Sequence, residues 1–261
     1  MRILYYPALL LALLLTQWGC RDQSLINDPA VVHLDPEFSL DLYEQRDPAD
    51  GHPTFGLWVE TLADCSCSGC AVVAESRVQG TAISVELMGV QAPQPCSGPP
   101  ASARSFIPIG TLAEGEYTIS ISLRSVVSSS GTLRVEKGRY TLTMTDPQGF
   151  MVRNYLLQSM PADLVWGYAL SPDEPSVLLA QQWLSDLKKI SSEPNLSPGF
   201  YGYFTVSGNG ATFFHTSMEP GVAAQMFVRR LDAPLPLLRN TVEAYRAQSL
   251  SVRCLSTWGE L

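Results

Sequence analysis

Apolar and polar residues alternate along most of the chain between residues 54 and 157. Ile83, Val85 and Leu87 share one face of the run 81–89, and Tyr117, Ile119, Ile121 and Leu123 share one face of 115–124. A period of two is that of a strand with one buried side. Leu133 and Val135, then Tyr140, Leu142 and Met144, continue it, and turn signals at 78–80, 113–115, 136–138 and 146–149 separate the runs. Strands and turns at this spacing predict an antiparallel β-sandwich over 54–157.

Beyond Met160-Pro161 the rhythm changes. Residues 163–170 read as a strand. Ser171-Pro172-Asp173-Glu174 then reads as a capping box with Ser171 as the N-cap, and a helix follows to about Ser191. Val177, Ala180, Leu184 and Leu187, flanked by Leu179, Trp183 and Ile190, give it a wide apolar stripe. Strands are predicted over 200–206 and 211–216, joined by Ser207-Gly208-Asn209-Gly210, in which Asn-Gly is a hairpin signal. A further short strand falls on 225–230. Leu235, Leu238, Val242 and Tyr245 mark a second helix, and a strand over 250–257 closes the chain. The order β-α-β-β-α-β is that of a ferredoxin-like α+β domain, here 158–261, with both helices on one sheet face. The predicted fold class is thus an all-β, immunoglobulin-like sandwich followed by an α+β domain.

The stretch 21–53 is punctuated by Asp28-Pro29, Asp35-Pro36, Asp47-Pro48 and His52-Pro53, and a residue before proline is pushed out of helical geometry. Residues 20–53 read as a tether, although the apolar island 38–42 also suits a first strand. The chain opens with Arg2 and an apolar run over 3–15, too short to span a bilayer as a helix and of the length of a signal-peptide core. Thr16-Gln17-Trp18-Gly19-Cys20 resembles the lipobox of the bacterial lipoprotein class. That resemblance covers residues 1–20 only. It implies a signal peptide over 1–19, lipid on Cys20, and residence in the bacterial cell envelope, periplasmic or surface-exposed, with the membrane reached through the anchor. Ile107-Pro108-Ile109-Gly110 followed by Gly115-Glu116-Tyr117-Thr118-Ile119 is similar to the late strands of immunoglobulin-like modules in exported bacterial proteins, and this implies fold alone.

Charge and cysteine usage narrow the function classes. A formal net charge of −8 repels a polyanion, so nucleic acid is not an expected partner. Cys65, Cys67, Cys70 and Cys96 lie within one stretch, with Cys254 apart. An exported chain oxidises such thiols, and two disulfides among the four are expected, one of them with Cys70 as the preferred partner of Cys96. The same four sulfurs have the makings of a zinc or thiol-redox site, the competing reading. No pattern asks for a cofactor, and motif searches find no G-x-S-x-G, H-E-x-x-H, Walker or dinucleotide fingerprint.

In the C-terminal half, Trp166 and Tyr168 alternate with Val165, Gly167 and Ala169, while Tyr201 and Tyr203 alternate with Phe200, Gly202 and Phe204. If the smaller or wholly apolar sets face the helices, then Trp166, Tyr168, Tyr201 and Tyr203 line the helix-free face. Open, such a face would stack a glycan or receive an envelope protein. Burial against the sandwich or a second copy is the commoner fate. The expected role is a non-catalytic binding or interaction module. The alternatives are a hydrolase without a local motif, built around His215, and metal or redox chemistry at Cys65–Cys70.

Overall fold

The structure is a computed structural model that describes residues 34–46, 53–215 and 223–261. The signal-peptide reading, Cys20 and most of the tether lie outside the described residues. The chain is mostly β. In order it forms β1 (Phe38–Arg46), β2 (Pro53–Cys65), β3 (Ala71–Gln79), β4 (Ala82–Gln91), β5 (Ala101–Gly110), β6 (Gly115–Leu123), β7 (Val127–Glu136), β8 (Arg139–Thr145), β9 (Phe150–Asn154) and β10 (Leu156–Gln158). There follow β11 (Leu164–Ser171), helix α1 (Glu174–Lys189), β12 (Ser191–Ser192), β13 (Gly199–Phe200), β14 (Phe204–Val206), β15 (Thr212–Phe214), β16 (Ala223–Leu231), helix α2 (Leu235–Arg246), β17 (Val252–Ser256) and β18 (Gly259–Glu260).

Two sheets make the sandwich. One has the order β5-β2-β1-β9, the other β15-β14-β13-β10-β8-β7-β6-β4-β3. Leu40, Leu42, Leu57 and Val59 from the first pack in one core with Val85, Leu87, Ile119, Ile121, Leu133 and Leu142 from the second. The alternation read from the sequence therefore selects the buried side correctly in β4, β6, β7 and β8. Not every pairing is antiparallel, because β4 and β6 run parallel with Ile83, Val85 and Leu87 opposite Ile119, Ile121 and Leu123.

The tether reading is corrected for 38–46. β1 is an interior strand of its sheet, antiparallel to β2 and parallel to β9. Phe38, Leu40 and Leu42 alternate with Ser39, Asp41 and Tyr43, so one side of this short run buries three large apolar residues. Pro36 lies just before the strand, and no linker runs through it.

The disulfides join Cys65 to Cys70 and Cys67 to Cys96, with Cα separations of 6.5 and 5.7 Å, inside the range a disulfide bridges. Cys70 thus pairs within its own turn, and Cys67 takes the role expected of Cys70. β2 ends at Cys65 and β3 begins at Ala71, so the turn between them brings Cys65 back against Cys70 while Cys67, buried, faces the 92–100 loop. Cys254 is a buried free thiol.

The remaining sheet has the order β12-β16-β11-β17-β18. Val165, Ala169, Phe227, Val252 and Cys254 face Ala180, Trp183 and Leu187 of α1 and Leu238, Val242 and Tyr245 of α2. The α1 cap differs from expectation: Asp173, not Ser171, is the N-cap, accepting from Ser176 N at 2.9 Å while Ser176 Oγ reaches back to Asp173 N. Pro175 then sits in the first helical turn, where its missing N–H costs nothing.

The strands predicted over 200–206 and 211–216 do not enter this sheet. β13 pairs in parallel with β10, Leu157 opposite Phe200, and β14 and β15 extend the nine-stranded sheet from there. The five-stranded sheet is completed by β12 and by the long β16, which pairs with β11 from Ala223 to Arg230. Chain from beyond the expected 157/158 boundary thus becomes part of the sandwich, and residues 34–261 cluster as one unit.

The Cys67–Cys96 bridge closes a 29-residue separation and the Cys65–Cys70 bridge a 5-residue one. Loop-closure entropy then predicts that Cys67→Ser costs about 2–4 kcal/mol and Cys65→Ser less. Urea unfolding of both variants checks the order, and non-reducing peptide mapping of the wild type checks the pairing.

Candidate functional site

The outward side of the four-stranded sheet carries an unusual set of residues. With Phe38, Leu40 and Leu42 turned in, β1 presents Asp41 and Tyr43; with Phe55, Leu57 and Val59 turned in, β2 presents Gly56, Trp58 and Glu60. β5 adds Arg104 and Phe106. Cross-strand register places Asp41 opposite Trp58, Trp58 opposite Phe106, and Glu60 opposite Arg104. Between β1 and β9 the register slips at Leu40/Asp41, so that Val152 faces Leu40 but Asn154 faces Asp41. Such a bulge re-aims side chains. Here it lets two consecutive residues serve one face: Arg153 reaches Glu60 at 3.0 Å and Asn154 reaches Asp41 at 2.8 Å.

The aromatic rings form a connected group. Tyr43 lies 5.7 Å from Trp58, 5.9 Å from Phe106 and 5.2 Å from Tyr203, centroid to centroid. Two glycines make this approach feasible. A Cβ on Gly56 would stand 2.6 Å from the Phe106 ring, and one on Gly202, whose φ is +84°, would stand 2.9 Å from the Tyr43 ring. Phe200, Gly202, Tyr203 and His215 form the wall that rises from this floor, enclosing a cleft of about 460 Å³, a size typical of small-molecule sites.

Its two carboxylates differ in character. Burial works to raise the Glu60 pKa, but hydrogen bonds from Ser102 and Arg153 and the charges of Arg104 and Arg153 outweigh it and hold this carboxyl below its ordinary value. Ser102 Oγ donates at 2.6 Å and Arg104 Nε lies at 3.0 Å. For Asp41 the balance is reversed: burial raises its pKa despite the Asn154 hydrogen bond and the Arg153 charge. The Tyr43 hydroxyl is pushed up as well, by burial first and by Tyr203 second. Carboxylates with pKa values driven apart are a pattern acid–base pairs use. Arg153, however, approaches both, at 3.0 Å from Glu60 and 4.0 Å from Asp41, and takes up space that a nucleophile or water would need between them.

His215 is exposed on the rim of the cleft, with Nε2 2.8 Å from Thr205 Oγ1 and its ring 5.4 Å from Phe200. The cleft thus brings a histidine, a hydroxyl and a carboxylate together. The hydrogen bond of Asp41 goes to Asn154, though, so the link by which an acid orients the base of a nucleophilic relay is not made.

The expected aromatic face is not open. Trp166 and Tyr201 are 2% and 5% exposed, because β14 and its flanking residues lie over the helix-free side of the five-stranded sheet. Trp166 contacts Tyr203 at 4.9 Å and Phe204 at 6.4 Å, and Tyr201 stacks on Phe204 at 5.3 Å while donating to Ser197 O. Tyr168 is half-buried beside Arg253. Of the four, Tyr203 alone lines the cleft. All four sulfurs of Cys65, Cys67, Cys70 and Cys96 are taken up in disulfides, so none is a thiolate ligand here. Sequence reasoning missed Asp41, Tyr43, Trp58, Glu60, Arg104, Arg153 and Asn154. The signal for the first four was present, since they are the non-core positions of two alternating runs. Neither a family model, nor a curated protein, nor a solved structure matches the chain.

The two carboxylates predict opposite pH trends. A depressed Glu60 pKa adds stability above its ordinary 4.5 that is lost as pH falls through the folded-state value. Glu60→Gln should therefore cost about 1–2 kcal/mol at neutral pH, within the range for charge-assisted hydrogen bonds after solvent screening, with the gap closing in acid. A raised Asp41 pKa costs stability as pH climbs past its ordinary 3.8, so Asp41→Asn should gain on the wild type with rising pH. Denaturant titrations from acid to neutral pH read both slopes.

Proposed function

We propose that this chain is an exported, lipid-anchored protein of the bacterial cell envelope that acts as a non-catalytic binding module, with the cleft over the four-stranded sheet as its ligand site. The observation that carries the reading is the meeting of Tyr43, Trp58 and Tyr203 with Asp41, Glu60, Arg104, Arg153 and Asn154 in one accessible cleft. A sheet face used only to meet water needs no aromatic cluster, and a cluster used only as core would not carry four ionisable groups. Export is supported by the lipobox-like 16–20 and by the two disulfides, which persist where thiols oxidise. Against nucleophilic or two-carboxylate catalysis stand the Arg153 guanidinium close to both acids and the Asp41 hydrogen bond, which goes to Asn154 and not to His215, whose own partner is Thr205.

In the finer fold, we read the sandwich as immunoglobulin-like and the 164–260 sheet as a ferredoxin-like unit. The second reading is supported by the order β12-β16-β11-β17, antiparallel throughout, with α1 and α2 on one side. The three-stranded 199–214 segment is then an insertion between its second and third strands.

Expression of the full chain in a bacterium with labelled palmitate tests the address. Label should enter the protein, follow it into the membrane fraction, and vanish in Cys20→Ser; an unlabelled chain that retains Met1 would refute it. For the site, immobilised wild type should retain envelope glycan or protein that Trp58→Ala releases, with unchanged thermal unfolding of the two proteins as the folding control.

A further inference from the structure

The cleft also constrains the chemistry of its occupant. Its fixed charges are two carboxylates, Asp41 and Glu60, and two guanidiniums, Arg104 and Arg153, which cancel. Both guanidiniums already bind Glu60, so their charge is largely matched, and an anionic ligand that drew them away would leave a half-buried carboxylate uncompensated. A cationic ligand would meet Arg153 beside the less committed acid. An aliphatic ligand would strand the polar groups without partners.

The groups left over are of another kind. The Asp41 carboxylate accepts from Asn154 Nδ2 at 2.8 Å and from the Asn154 backbone N–H, while Oδ2 lies 4.0 Å from Arg153, beyond hydrogen-bond reach, so lone pairs remain on a group that offers about four. Asn154 Nδ2 uses one hydrogen on Asp41 and has a second to give. A spare acceptor beside a spare donor matches a pair of neighbouring hydroxyls. Trp58, half-buried in the cleft and tilted at 40° to Tyr43, supplies an apolar surface alongside, suited to the C–H side of a pyranose ring.

Resting on the reading of this cleft as a ligand site, we infer that it takes an uncharged oligosaccharide, with Trp58 as the stacking platform and the Asp41–Asn154 pair as the hydroxyl clamp. A neutral ligand held in this way binds with little dependence on salt, because no charge pairs form across the interface.

The experiment titrates the purified mature chain by calorimetry and saturation-transfer NMR. The probes are a panel of neutral hexaoses (gluco-, manno-, galacto- and N-acetylglucosamine-linked), an oligogalacturonate, a chitosan oligomer and a random-sequence peptide pool. Saturable, salt-insensitive binding of a neutral hexaose is expected, weakened roughly tenfold or more by Trp58→Ala and by Asp41→Ala, and largely kept by Trp58→Phe. If a charged oligomer or the peptide pool binds instead and Trp58→Ala and Trp58→Phe differ in the same way, the cleft is a site but the saccharide inference is overturned. If no probe binds, or binding ignores all three substitutions while each variant melts as the wild type does, both the inference and the site reading fall.

Discussion

The ring of Tyr203 stands 4.9 Å from Trp166 on one side and 5.2 Å from Tyr43 on the other, and through it three sheets become one body. Trp166 belongs to the five-stranded sheet, Tyr43 to the four-stranded sheet, and Tyr203 to the segment that carries β13–β15 into the nine-stranded sheet. The 199–214 segment covers the apolar side of β11 with Phe204 and Val206 while its own backbone hydrogen bonds are satisfied by β10 and by its hairpin partner. Both needs are obligatory, since an exposed aromatic face and an unpaired strand edge are each costly. One excursion answers both, and the cleft is the gap that remains where its outer side leans on β1 and β2.

The charges in that gap are tolerated because they sit at a boundary. Glu60 is mostly withdrawn from water, and four donors from three residues compensate it; Arg104 and Arg153 keep much of their own surface solvated. Burial of a charge is affordable where its partners are placed by strand register and not by flexible reach. Asp41 is less well served, and its proton is correspondingly harder to remove. That inequality, built by a single bulge on β9, separates a structural acid from one with capacity to spare.

The disulfides act on the same face from a distance. Cys67–Cys96 ties the β2–β3 turn to the loop that leads into β5, and Arg104 N donates to Cys70 O at 3.2 Å. β5 brings Arg104 and Phe106 to the site. Its entry point is therefore held by covalent bonds.

Local periodicity was readable without a structure. The inward sides of β4, β6, β7 and β8, the positions Ala180 and Leu187 of α1 and the core positions Leu238, Val242 and Tyr245 of α2 follow from repeats of two and 3.6 that each segment carries within itself. Even the polar side of β1 was implicit in Phe38, Leu40 and Leu42. Which strands pair was not readable. Asn154 meets Asp41 across 113 positions and Arg153 meets Glu60 across 93, and the 200–214 strands chose β10 over β11 although their pattern suited either. A strand's alternation says which side is buried but not against what, because backbone hydrogen bonds carry no residue identity. The sequence by itself determined the faces of the elements; the tertiary structure alone decided their partners, and with them the cleft, since only the packed whole shows which edge and which face each strand satisfies best.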